Sequence, residues 1–221
     1  MRAAPAEAPD ARVSAVRAWV FDLDNTLYPP EARLFDQVNA RITAHVMRAL
    51  GVAEAEAEAL RARYWREHGT TLAGLMAHHG IDPEAYLEDV HEIDLSPLSP
   101  DPALAAAIAR LPGRKIVYTN GSRGHGRRIT AALGLSFDAI YGVEDAGFAP
   151  KPRREAFERV FAADRLYLSA AAMVEDDQRN LRAPVEMGMV AIWRPARADE
   201  APEPHVHFVA RDLAAFLSAV G

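Results

Sequence analysis

The chain contains no cysteine. This excludes disulfide staples, thiolate nucleophiles and cysteine-built zinc sites, and it suits a reducing compartment. Long apolar runs are missing too: no stretch approaches the roughly 20 residues a helix needs to cross a bilayer. Basic charge is in deficit. Against 31 Asp and Glu stand 25 Lys and Arg, a formal net charge of -6, so no general affinity for nucleic acid or an anionic membrane is expected. The opening MRAAPAEAPDARVSA mixes Pro, Ala and acids with no apolar stretch behind Arg2. Residues 1–15 therefore read as a short disordered tail, not a signal peptide. The expectation is a cytoplasmic protein, monomeric or homodimeric.

What the chain has is apolar patterning. Half of its 221 residues are hydrophobic, enough for one large domain or a core with an insert. Val16 to Asp22, VRAWVFD, is short, apolar and rich in β-formers, and reads as a buried strand. Leu27-Tyr28-Pro29-Pro30 breaks that pattern. From Glu31 to Ile93 the texture is helical. Leu34, Val38, Ile42 and Val46 recur every four residues, marking a helix face that packs within this segment and stops near Gly51. AEAEAEALRARYWREHG, TLAGLMAHHG and PEAYLEDVHEI follow as further helical stretches, and LSPLSPDP closes the segment as a proline-rich linker. Beyond it, helices alternate with the β-runs KIVYTN, DAIYGV, AAMVED, VAIW and HVHFVA. Such alternation predicts a parallel sheet covered on both faces. The expected fold is α/β: a Rossmann-like three-layer core from 16–27 and 101–221, with an all-helical cap from 28–100.

Ligands of such sheets gather at the carboxyl ends of the strands. The first strand ends in Asp22-Leu23-Asp24-Asn25-Thr26, the second in Thr119-Asn120-Gly121-Ser122, and a later one in Glu175-Asp176-Asp177; Lys151 stands between two prolines before a helix. Asp22 and Asp176 suit Mg²⁺, a hard cation that takes oxygen ligands. The metal and Lys151 would neutralise a phosphate that the carboxylates alone would repel. Asp22 can attack phosphorus. Asp24 can protonate the leaving oxygen and later take a proton from water. Thr119, Asn120 and loop amides can hold the equatorial oxygens as charge spreads over them.

FDLDNT, TNG, Lys151-Pro152 and VEDD, in this order, resemble the four motifs of the haloacid-dehalogenase superfamily, and the helical segment between the first two resembles its C1 caps. The resemblance covers nearly the whole chain after residue 16. It implies that Asp22 is nucleophile and Mg²⁺ ligand, and that Asp24 is acid and base and ligates Mg²⁺ through its backbone carbonyl. Thr26 would support the phosphate loop. Thr119, Asn120 and Gly121 would bind the phosphoryl group, and Lys151 would bridge it to the nucleophile. Asp176 would be the acidic Mg²⁺ ligand, with Glu175 and Asp177 close around the metal. FDLDNTLYP, HGTTLAGLM, VHEIDLSPLSPDP and FAPKP are further similar to the pyrimidine 5′-nucleotidase group. That likeness implies a small phosphorylated substrate, a nucleoside monophosphate such as UMP or CMP.

Other readings stand beside these. Tyr28, His68, Thr70 and Thr71 are candidates for lining a substrate cleft, with helix capping as the plainer role. Among the eight histidines, His78 and His79 point to different faces of a helix. His205 and His207 share one face of a strand without a third ligand, so surface or capping roles are expected. Arg123, Arg127 and Arg128 form either a solvated face or part of a phosphate field. A 2-haloacid dehalogenase would need neither Mg²⁺ nor Asp24. A phosphomutase, or a phosphatase for a sugar phosphate, would keep all four motifs. A lid on two proline-marked hinges would gate entry.

Overall fold

Four consecutive apolar residues, Ala18–Phe21 (β1), leave no polar face to turn towards water, and all four are buried. In the computed structural model, which describes residues 8–197 and 199–220, β1 is a central strand of a parallel sheet. The other strands are Arg114–Tyr118 (β2), Ala139–Tyr141 (β3), Ala171–Glu175 (β4), Val190–Trp193 (β5) and Phe208–Val209 (β6). Their order is β3-β2-β1-β4-β5-β6, and every pairing is parallel.

Side chains alternate across the sheet, so β1 feeds two cores. Trp19 and Phe21 pack with Val117, Val174 and Ile192 on one face. That face is covered by Pro102–Arg110 (α6), Arg123–Ala132 (α7) and Leu213–Ser218 (α10), through Ile108, Ile129 and Phe216. Val20 packs with Tyr118, Met173 and Trp193 on the other, under Arg154–Ala163 (α8) and Arg179–Glu186 (α9). The expected three-layer α/β architecture is therefore present. The β6 run is shorter than HVHFVA: His205 and His207 precede the strand and do not share a strand face.

Between β1 and β2 lie Leu34–Leu50 (α2), Glu54–His68 (α3), Thr71–His79 (α4) and Pro83–Val90 (α5), besides α6. Gly51, Gly69 and Gly80 end α2, α3 and α4 in the left-handed conformation, which glycine adopts at least cost. The α3–α4 crossing is close enough to require Gly74, since a Cβ there would lie 2.2 Å from Cγ of Tyr64. The apolar stripe of α2 divides. Leu34 and Val38 join the core beside the sheet, Val46 joins the helical cluster of Tyr64, Leu75 and Leu87, and Ile42 touches both. The stripe thus couples segment to sheet and does not pack within the segment alone.

Part of the expected tail is ordered. Residues 1–7 lie outside the described residues, but Ala11–Ser14 (α1) form a helical turn capped by Asp10, and Val13 is fully buried. One apolar residue at the right position anchors a segment whose composition reads as disordered. No described helix is long and apolar enough to cross a membrane.

Candidate active site

The ends of β1 and β4 align because Phe21 pairs with Val174 and with Val117 of β2 in register. The residues just beyond therefore emerge side by side. Asn25, at φ 62°, turns the chain after β1, a conformation Asn tolerates better than most residues.

Lys151 is the hub. Its buried Nζ lies 2.6 Å from Asp22 Oδ1 and 2.6 Å from Glu175 Oε1, and donates to the Tyr118 carbonyl at 3.2 Å. Burial pushes its pKa down, but Asp22 and Glu175 together drive it above the ordinary lysine value. Thr26 donates to Asp22 Oδ2 at 3.1 Å. Glu175 is fully buried and also accepts from Asn180 Nδ2 at 2.7 Å and from the Asp177 amide at 2.9 Å. One carboxylate oxygen from each of Asp22, Glu175 and Asp176 lies within 4.8 Å of the others. Burial, then the Glu175 charge, raises Asp22 to about 7 and Asp176 to about 10. Two buried acids and a partly buried one, crowded this way, are a ready cation site.

Asp24 is half-buried and held from three sides. Tyr28 donates to Oδ1 at 2.7 Å, His125 Nε2 contacts the same oxygen at 3.0 Å, and Thr119 Oγ1 lies 3.4 Å from Oδ2. Burial acts to raise this carboxyl; His125 and the Tyr28 hydroxyl more than offset it and hold it at about 2. A cavity of about 630 Å³ opens on Asp24, Asn120, Gly121 and His125. Its other wall comes from α2–α5, with Phe35, Trp65 and Tyr86 beside Asn39 and Arg61. Such a size is ordinary for a small-molecule site, about 300–1,000 Å³.

Several residues sit differently from expectation. Asn120 exchanges hydrogen bonds with the Lys151 backbone, at 2.8 Å and 3.2 Å, so its amide ties two loops together. Asp177 turns to Arg179 at 2.5 Å, away from the acidic cluster. Tyr28 is buried against Asp24 and does not line the large cavity. Thr70 caps α4 by accepting from the Ala73 amide, and with Thr71 it also lines the cavity. His68 meets His78, not the cavity, with Nε2 atoms 3.0 Å apart and Glu67 alongside. Arg123 pairs with Asp145, while Arg128 donates to the carbonyls of His91 and Ile93 at 3.0 Å each.

The histidine reading needs the largest correction. His91 does cap α5, but neither it nor His125 is a surface group: both are buried, and their rings stack at 4.3 Å with 21° between planes. Nothing in the sequence singles out His125, in the first turn of α7; only its proximity to Asp24 gives it a role. Asn180 likewise gains its place from Glu175, five residues away.

The sequence model of the family described as "haloacid dehalogenase-like hydrolase" matches residues 16–188. The chain belongs to this hydrolase family. Among relatives of this HAD-like hydrolase, Phosphate metabolism protein 8 of Saccharomyces cerevisiae is 26% identical over 204 residues, 84% of this chain and 63% of that protein. The chain thus spans less than two thirds of that relative's length. A HAD phosphatase from Thermococcus onnurineus superposes with a TM-score of 0.63 at 18% identity, over 93% of this chain and 98% of that one. An L-2-haloacid dehalogenase from Xanthobacter autotrophicus does so at 0.60 and 16%, over 93% and 98%. Phosphatase and dehalogenase alike carry this fold, so the choice between their chemistries rests on the residues of the site.

Proposed function

We propose that this HAD-like hydrolase is a Mg²⁺-dependent phosphomonoesterase acting through an aspartyl-phosphate, with a pyrimidine nucleoside monophosphate (UMP or CMP) as substrate. The observation that carries the reading is Asp24. A second carboxylate, fixed by Tyr28 and His125 and facing the cavity, is what phosphate ester hydrolysis needs and carbon–halogen cleavage does not.

The donor set fits the metal: three clustered carboxylates with like-charge repulsion to relieve, all oxygen, no sulfur. Asp22 and Asp176 would hold the ion, with the Asp24 carbonyl beside them; Glu175 already serves Lys151 and Asn180. Bound there, Mg²⁺ would draw charge from the phosphoryl oxygens. Asp22 attacks phosphorus as the ester P–O bond breaks. Asp24 hands a proton to the departing alkoxide. Water then attacks the aspartyl-phosphate, giving its proton back to Asp24 and freeing Asp22 and inorganic phosphate. Asp24 is held low in the free site, and the phosphate's negative charge beside it favours its protonated form for the first step. Lys151 stays protonated and balances the site as negative charge accumulates.

Residues 28–100 serve as a lid over the core (16–27 and 101–221). Its wall of Phe35, Trp65 and Tyr86 suits a planar base, with Asn39 and Arg61 as polar contacts. The test is phosphate release from UMP and CMP with Mg²⁺ and with EDTA, for wild type and Asp24→Asn. Wild type should turn over only with the metal, and the variant should lose about 10²–10⁴-fold. Silence across a panel of nucleotide and sugar phosphates would overturn the reading.

A further inference from the structure

Asp24 is oriented by His125, and something must orient His125. Its Nε2 contacts Asp24 Oδ1 at 3.0 Å, but its buried Nδ1 has no hydrogen-bond partner. Nothing on that side fixes the plane of the ring by hydrogen bonding. What lies against the ring is His91, stacked at 4.3 Å.

His91 is itself firmly held. It follows the last residue of α5, and its Nδ1 donates to the Leu87 carbonyl at 2.9 Å, with Ser122 Oγ at 3.3 Å. Arg128 takes its carbonyl and that of Ile93. Gly121 makes room for the pair, since a Cβ there would stand 3.2 Å from both rings. Contacts therefore run without a gap from the exit of the helical segment, through two stacked imidazoles, to the carboxylate at the cavity.

We propose that His91 is a positioning residue for Asp24, acting through the face of His125. The stack sets the His125 plane. His125 and Tyr28 then fix Oδ1, leaving Oδ2, with only the long 3.4 Å contact from Thr119 Oγ1, as the oxygen that exchanges protons with leaving group and water. The inference rests on the reading of Asp24 as acid and base.

Leaving-group dependence tests it. An alkyl ester (UMP, with ribose 5-phosphate beside it) must have its leaving oxygen protonated; p-nitrophenyl phosphate need not. Single-turnover alcohol release and the nitrophenolate burst report the first step alone. His91→Ala should slow that step about 10- to 100-fold on the alkyl esters and less than about threefold on the aryl ester, with KM nearly unchanged. His91→Phe, which keeps a flat ring, should recover most of the rate, and His91→Leu should not. Thermal melts of all three identify any variant that fails to fold; the Phe and Leu pair decides if Ala does. Equal losses on both ester types, losses confined to KM, or no advantage of Phe over Leu would each overturn the proposal. Asp24→Asn separates the two readings. If it shows the leaving-group signature and the His91 variants do not, only this inference fails. If it does not, or if no alkyl ester is turned over, the Asp24 reading fails and this one with it.

Discussion

Lys151 Nζ and Glu175 Oε1 lie 2.6 Å apart, both side chains shut off from water. Removing the ammonium leaves Glu175 and Asp22 buried without their cation. Lys151→Met should therefore cost about 3–5 kcal/mol, lowering the melting temperature by about 10 °C. A melt within two degrees or so of wild type would show that the carboxylates re-protonate at no cost.

Asp22→Asn should separate activity from stability. Loss of the nucleophile should lower kcat by about 10⁴-fold or more. The fold should hold or gain, because burial and Glu175 raise this carboxyl to about 7. The folded pKa exceeds the unfolded one, so stability tied to Asp22 is greatest below about pH 4 and falls as pH rises towards 7. The Asn variant should flatten that decline. Phosphate release and urea titrations at pH 5 and 7 read both effects.

Mg²⁺ should stabilise the native chain by mass action, about 2.7 kcal/mol at a hundredfold excess over its Kd. Asp176→Asn should erase that gain, since it removes one carboxylate of the cluster. Calorimetric melts with and without Mg²⁺ are sufficient, and they need no substrate. A gain that survives the substitution would place the ion elsewhere.

His91 sets an acid limit. Burial, then the nearby His125, lowers it to about 3. Below about pH 6.5 the unfolded chain binds a proton that the folded one refuses, so stability falls as pH falls, by up to about 1.4 kcal/mol per unit down to about pH 3. His91→Phe should remove one proton's worth of that slope. Identical slopes between pH 4 and 6 in the two proteins would count against it.

Most strands and helices were legible because they carry a local signal: the unbroken AWVF run, the four-residue spacing in α2, the glycines that close α2, α3 and α4; α1, whose surroundings read as disordered, was not. The residues that meet around Lys151 were legible for a related reason, since each stands where a strand ends and polarity begins. His91 and His125 carry no such signal. Their place depends on Asp24, 101 residues from His125, and on a ring stacking that no periodicity encodes. Asn120 and Asp177 have partners that the sequence does not show. Their types suited phosphate and metal, but a backbone and an arginine within reach claimed them first.

Among the described strands β1 is made first, yet both its neighbours come later: β2 begins at Arg114 and β4 at Ala171. A growing chain must carry the future centre of its sheet with two open edges until β2 is made and one until β4 is made, while helices α2–α5 can already coil. Proteolysis of stalled nascent chains should find Ala18–Phe21 cleavable until Glu175 has emerged, which makes the order of translation a hazard this topology has to survive.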